Sequence, residues 1–269
     1  MRDKSAALYR VLDDRSYEPS DLARSPWGMT QAGGSLAGLA VWHLEGLDCW
    51  EDGRRIVRVS AEFLRPTPMV PVELRTSVIH QGRRTRLGQV EVVAADVICA
   101  RVTTLAIAER AGLADCASHH GGAVPDVGGG WSEPAPSRLD VYGGLFGDGI
   151  EVRIPKPEVM AGWGTAWMRP RHELVEGSEM SGTAFAVAVA DLANGVVGPE
   201  ASSTPVVAYQ NADLVVSFLR PPSVEWIQVD GGSTWSAAGF SITDATLRTG
   251  AGPIARVSHR CVLMQMTGS

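Results

Sequence analysis

Two short stretches of this chain occur twice, and the copies are spaced identically. Phe63-Leu64-Arg65-Pro66 returns as Phe218-Leu219-Arg220-Pro221, and Ala100-Arg101-Val102 returns as Ala255-Arg256-Val257, each at an offset of 155 residues. Two independent matches in one register imply duplication, and a period of domain size rules out a solenoid of short repeats. In both copies a proline directly follows the Phe-Leu-Arg strand end, where it stops a ladder of backbone hydrogen bonds. Whatever the first copy folds into, the second must repeat.

Each copy also holds one stretch of small apolar residues ahead of its strands. In the first, Leu36 to Glu45 lies between Gly33-Gly34-Ser35 and Gly46, with Ser35 predicted as N-cap and Gly46 as the stop. In the second, Ser178 to Gly195 carries alanines at 184, 186, 188, 190 and 193; Ser178 or Ser181 is predicted to cap it and Gly195 to end it. Helices apolar on nearly every face are buried helices. Ala40 to Leu44 matches Ala188 to Leu192 at an offset of 148, with the difference absorbed in the following loop. Asp191 is the one charge inside the second run. A carboxylate goes inside only with partners, with water or with its pKa shifted. It therefore either reaches solvent or a loop amide near the helix end, or it is a general base in an apolar cleft.

Strand signals follow each helix. Ala7–Leu12 is predicted as a short strand and residues 13–27 as loop. Ile56–Leu64, Val70–His80, Arg84–Ala95 and Val97–Ala108 are predicted as a four-stranded meander, with a tight turn at Gln81-Gly82. In the second half the expected strands are Gly162–Met168, Pro205–Leu219, Val224–Val229, Thr234–Ile242 and Ile254–Met264. Between the halves, Gly112 to Arg138 is dense in Gly, Pro, Ser and Ala and reads as linker or surface loop. His119-His120 lies in it, without the further ligand a metal site needs. The chain thus divides into an N-terminal half over 1–111, a Gly/Pro-rich linker over 112–157 and a C-terminal half over 158–269. Its class is α+β, with the two sheets expected to join edge to edge.

A chain of 269 residues, 45% hydrophobic and 20% charged, can bury a sizeable core. The net charge of −6 argues against nucleic acid as a partner. No apolar run follows the N-terminus and none approaches a membrane span, so a cytoplasmic protein without a membrane partner is expected. Cys49, Cys99, Cys116 and Cys261 have no metal-ligand spacing, and free thiols are expected. No cofactor and no metal are implied.

A helix wrapped by a curved antiparallel sheet, present twice, resembles the double hotdog of the acyl-CoA thioesterase II family and its thioesterase-like relatives. The residues carrying the resemblance are the Gly-Gly opening of the first helix, Phe63-Leu64-Arg65-Pro66, Gly82-Arg83-Arg84-Thr85, Ala190-Asp191, Phe218-Leu219-Arg220-Pro221 and the last strand. The resemblance implies hydrolysis of an acyl-CoA thioester by an Asp, a Thr or Ser, and a Gln of the second half. These fall on Asp191, Asn211 and His259, so the Asp is kept and both partners depart from the pattern. Asn can orient water through either end of its amide, and His can orient it, act as base or protonate the leaving thiolate. His43 and Thr104 occupy the matching places in the first half, so one working site per chain is expected. The first helix, opened by Gly33 and Gly34, would offer amides to the thioester oxygen or serve close packing. Arg83, Arg84 and Arg86, or Arg54 and Arg55, would meet CoA phosphates or be solvated hairpin charges. The family implies a homodimer or higher homo-oligomer. The competing readings are a hydratase or dehydratase of acyl thioesters and a catalytically silent acyl-CoA binder.

Overall fold

The computed structural model describes residues 7–26, 28–47, 50, 53–110, 131–134, 143–154, 163–196 and 207–265. His119-His120, Cys49 and Cys116 lie outside them. The first half supplies β1 (Ala7–Val11), β2 (Ser16–Pro19), α1 (Gly33–Glu45), β3 (Arg54–Phe63), β4 (Val72–Gln81), β5 (Thr85–Ala94) and β6 (Val97–Ala108). The second supplies β7 (Ile150–Arg153), β8 (Trp163–Pro170), β9 (Glu173–Val175), α2 (Gly182–Ala190), α3 (Ala193–Val196), β10 (Val207–Asn211), β11 (Asp213–Phe218), β12 (Ile227–Ser236), β13 (Phe240–Thr249) and β14 (Gly252–Gln265).

The strands form one sheet in the order β7-β8-β12-β13-β14-β11-β3-β6-β5-β4-β2-β1-β9, with β10 beside β14. Read outward from the β11·β3 junction, six strands on each side follow the same order, with β9 beyond β1 and β10 beside β14 as additions. β3-β6-β5-β4-β2-β1 mirrors β11-β14-β13-β12-β8-β7. The junction is itself an antiparallel ladder from Asp213↔Glu62 to Ser217↔Arg58. The halves are therefore joined edge to edge, and the two edges that would otherwise invite aggregation cover each other.

The repeated tetrapeptides mark this symmetry to the residue. Phe63 pairs with Ala100 and Phe218 with Ala255. Beyond those pairs the Leu64 and Arg65 N–H groups both donate to Cys99 O, and the Leu219 and Arg220 N–H groups both donate to Ile254 O. The offset of 155 is thus one cross-strand pair and its terminating turn, used twice.

Several sequence expectations need correction. The first four strands do not run as a simple meander. β3 pairs with β6 rather than β4, which leaves the other edge of β3 free to join β11. The stretch over residues 13–27 contains β2 and a 3₁₀ turn at Asp21–Ala23. β7 falls inside the stretch assigned to the linker and pairs with β8. The hairpin after β12 turns at Ala237 to Gly239, inside the span predicted as the strand Thr234–Ile242. Gly239 there has φ +86, the left-handed conformation the turn needs, which glycine adopts without strain.

The buried faces of the sheet, with Val59, Val90, Val102, Val216, Val229, Leu247 and Val257, close over α1 and α2. The two helices run against each other in opposite directions. Gly38 lies over Ala184 and Ala188, and Gly34 over Ala188 and Asp191. Glycine at 34 is needed for this approach, because a Cβ there would stand 2.5 Å from the Ala188 carbonyl oxygen. Ser35 does not cap α1. The helix begins two residues earlier, its N-cap is Ala32 with no side-chain bond, and Ser35 is buried, bonded to Ala32 O and the Tyr9 hydroxyl. Ser181 caps α2 through the Ala184 N–H.

Gly34→Ala is expected to lower stability by about 1–3 kcal/mol, the usual cost of forcing a methyl into a closed contact. Gly46→Ala, where a Cβ meets nothing nearer than 3.7 Å, should stay within about 0.5 kcal/mol. Chemical unfolding of both variants measures the difference.

Candidate active site

The predicted long helix over 178–195 is broken at Asp191. α2 stops there, with Asp191 as its C-cap, and α3 resumes two residues on. The cause is visible in the hydrogen bonds. The Asp191 carbonyl, which a continuous helix would give to Gly195, accepts from Asn211 Nδ2 at 3.0 Å, while the Gly195 N–H turns to Leu192 O. The break presents the Asp191 side chain to the uncapped start of α1. Gly34 N–H donates to Asp191 Oδ2 at 2.6 Å, and Asn211 Nδ2 donates to Asp191 Oδ1 at 2.6 Å. Asp191 is only 6% exposed.

Asn211 faces inward because the strand is irregular just after it. On β11 the buried residues are Leu214, Val216 and Phe218, and strict alternation would next turn Ala212 inward. Asn211 pairs with Cys261 and Val215 with Ser258, so four steps on one strand match three on the other. This one-residue bulge at Ala212 returns Asn211 to the inner face.

Asn194 of α3 and Cys261 of β14 complete the cluster. Asn194 Nδ2 donates to Asn211 Oδ1 at 2.6 Å and lies 3.4 Å from Cys261 Sγ, and Cys261 Sγ donates to Asn211 Oδ1 at 3.1 Å. Asp191, Asn194 and Asn211 border a cleft of about 320 Å³, walled by Gly33, Leu36, Phe63, Phe146 and Tyr209. Among the described residues, Arg65 is the only Lys or Arg lining it.

Two influences act on Asp191 in opposite senses. Burial raises its pKa from the ordinary aspartate value, and the hydrogen bonds from Asn211 and from Gly34 pull it back. The start of α1, with its positive dipole end, favours the ionised form as well. Burial is the largest contribution, so the carboxylate is held in place yet left more basic than a surface aspartate.

His259 is placed differently. It lies on the inner face of β14 with Val257 and Cys261, as period two predicts, but it is not among the residues lining the cleft. It is 0% exposed, and neither ring nitrogen has a hydrogen-bond partner among the described residues. Burial, helped by Arg260, takes its pKa down to about 4. Desolvation thus holds the ring in its neutral form. Thr104, its counterpart in the first half, is also buried, with its hydroxyl unpartnered among the described residues.

The arginines singled out for CoA phosphates do not gather here. Arg86 is 2% exposed with its guanidinium 5.3 Å from the Trp50 ring centre, Arg83 and Arg84 stand exposed on the β4–β5 hairpin, and none lines the cleft. Arg54 Nη2 donates to Gly82 O and Arg83 O, and Arg55 pairs with Glu109. Gly34 has spent its N–H on Asp191. Gly33 lines the cleft, and its N–H has no acceptor among the described residues. Three site residues escaped the sequence reading. Arg65 sits inside the repeated tetrapeptide, and Cys261 shares the face of His259 by period two. Asn194 is three residues beyond Asp191, a helical spacing hidden by the break.

Residues 23–107 match the family described as the acyl-CoA thioesterase N-terminal domain, and residues 122–263 that of its C-terminal domain. No curated protein matches the chain. Among solved structures, a candidate thioesterase from Novosphingobium aromaticivorans superposes with a TM-score of 0.70 at 20% identity, covering 96% of this chain and 98% of that one. A hot dog fold protein from Alicyclobacillus acidocaldarius gives 0.69 at 15% identity, covering 96% of each. An acyl-CoA thioesterase II from Mycobacterium marinum gives 0.65 at 16% identity, covering 97% and 96%. These likenesses show a hotdog fold.

A histidine whose pKa falls on folding leaves the unfolded chain binding more protons between the two values. Stability then rises with pH between about 4 and 6.5 and is lost as pH falls through that window. For His259 the full difference is about 3 kcal/mol. His259→Gln should therefore lose less stability than the parent between pH 7 and pH 5, as read by denaturant unfolding at the two pH values.

Proposed function

The chain belongs to the acyl-CoA thioesterase family and is a thioester hydrolase, and from that premise we propose that Asp191 is the base that takes a proton from the attacking water. The observation that carries this reading is the Asp191 carboxylate itself: buried, raised in basicity, on the wall of a cleft and aligned by two donors. In the proposed reaction the water oxygen bonds to the thioester carbon as its proton passes to Asp191. The carbonyl oxygen gains negative charge, for which the Gly33 N–H at the start of α1 is the donor in reach of the cleft. The C–S bond then breaks. The thiolate of CoA takes the proton back from Asp191, leaving the acid and free CoA.

Asn211 in this reading holds the carboxylate rather than the water, since both of its Nδ2 bonds go to Asp191. His259 enters as a neutral ring on the inner face two residues from Cys261, available to hold a water behind the cluster. Its depressed pKa speaks against it as the base. Arg65 at the cleft wall takes the place of Arg83, Arg84 and Arg86 as the cation for CoA phosphates. The architecture proposed is a double hotdog, with halves over 1–111 and 158–269, β7 added to the second. One working site per chain is proposed, because His43 stands where Asp191 does in the other half, and it is hydrogen-bonded to the Tyr17 hydroxyl at 2.8 Å.

Thiol release from a panel of acyl-CoA thioesters tests the reading, with product masses recorded. Asp191→Asn should cut turnover by roughly 10²–10⁴-fold. The acid limb of kcat/KM should lie above the ordinary aspartate pKa of about 3.9, activity falling as the carboxylate is protonated. His259→Gln should keep substantial activity and His259→Ala should lose about 10-fold. Full turnover by the Asp191→Asn variant would remove Asp191 from the chemistry. Binding of acyl-CoA with no release from any thioester would make the chain a silent binder.

A further inference from the structure

An ionised carboxylate only accepts hydrogen bonds, whereas a protonated one also donates. Asn211 meets Asp191 Oδ1 with its NH₂ end, the orientation that suits the ionised form. If Asp191 gains a proton on Oδ1, the favourable partner is the other end of the same amide, and Asn211 has to turn over. Asn194 stands on the far side with its own NH₂ end on Asn211 Oδ1, at 2.6 Å. Turning Asn211 alone would bring two NH₂ groups face to face. Cys261, at 3.1 Å from the same oxygen, adds no such preference, because a thiol can donate to an oxygen or accept from an amide. The Asp191 carbonyl accepts from the same Asn211 NH₂ group at 3.0 Å, so turning Asn211 costs that bond and, unless Asn194 turns with it, the bond to Asn194 as well.

Resting on the reading of Asp191 as base, we infer that Asn194 is a positioning residue that locks the Asn211 amide in the orientation that keeps Asp191 ionised. Its place in the fold suits the task. Asn194 is the second residue of α3, the short helix that exists because α2 breaks at Asp191. It is 9% exposed, with Cys261 Sγ 3.4 Å from its NH₂ group. The same side chain makes no bond of its own to Asp191 among the described residues, so its influence passes through Asn211.

Removing Asn194 takes away one of the two groups that fix the Asn211 amide and leaves the Asp191 carbonyl as the other, which lowers the cost of turning Asn211 to the orientation that suits a protonated Asp191. In Asn194→Ala the midpoint of the Asp191 carboxyl, followed by ¹³C NMR, should therefore rise by about 0.5–1 pH unit, the size of one hydrogen bond's preference. The acid limb of kcat/KM should move up with it. KM should change little, and kcat near neutral pH should fall severalfold. The two residues should also be coupled. In an Asn211→Ala background, Asn194→Ala should add little further loss and no further shift of the midpoint. Asn194→Ser, which keeps a small polar side chain in α3, serves as a second variant should the alanine fail to fold, and thermal unfolding of each establishes that. An unmoved carboxyl midpoint, or losses at 194 and 211 that simply add, would overturn the inference. The NMR titration needs no substrate. If the parent releases no thiol from any thioester, the catalytic reading fails on its own, while the midpoint still decides whether Asn194 governs Asp191.

Discussion

The bond between the Asp191 carboxylate and the Gly34 amide holds the two halves in their working relation. α1 starts without a capping side chain of its own, so its first amides need an acceptor from elsewhere. Asp191 supplies it from the end of α2, 157 residues away in sequence. The demand is geometric as well as electrostatic. Only a residue without a Cβ at position 34 lets the helices come close enough for a carboxylate as short as aspartate to reach. The same contact caps one helix from the end of the other and puts a basic oxygen beside the cleft.

The opposite crossing point shows what duplication left unchanged and what it did not. There Glu45, at the end of α1, accepts from the Ser181 hydroxyl at 2.5 Å, and Ser181 in turn caps α2. Each helix thus begins beside a carboxylate from the end of the other. In one case the carboxylate meets the amide directly beside a cleft. In the other a serine stands between them, and the sequence counterpart of Asp191 is His43, packed against Tyr17. One backbone plan gives two electrostatic outcomes, because the chemistry is decided by one or two side chains at each crossing.

Burial moves the pKa values of Asp191 and His259 in opposite directions. It favours the neutral form of each, which makes Asp191 a better base and His259 a poorer one. An Asp–His pair written from the sequence suggests mutual support of charge. In the fold both are buried without a bond between them among the described residues, and desolvation is the largest influence on each.

Much of the architecture was written in the sequence. The offset of 155 fixed the duplication because a cross-strand pair and the turn that ends it demand the same residues wherever they occur. The apolar runs around Leu39 and Val187 declared buried helices, and the lone aspartate in the second run is the residue the fold sets on a cleft wall. Period two put His259 and Cys261 on one face correctly. What the tertiary structure decided were the features that depend on a partner distant in sequence. The break at Asp191 needs Asn211 to take its carbonyl. The inward turn of Asn211 needs a bulge whose cause is pairing with β14. The β3·β6 pairing needs β11 waiting at the open edge. Arg86 lies buried beside the Trp50 ring and does not line the cleft. Local patterns report which face a residue prefers and where a segment ends. They carry no information about which distant group will accept a given proton or hydrogen bond, and the site here is built from those bonds.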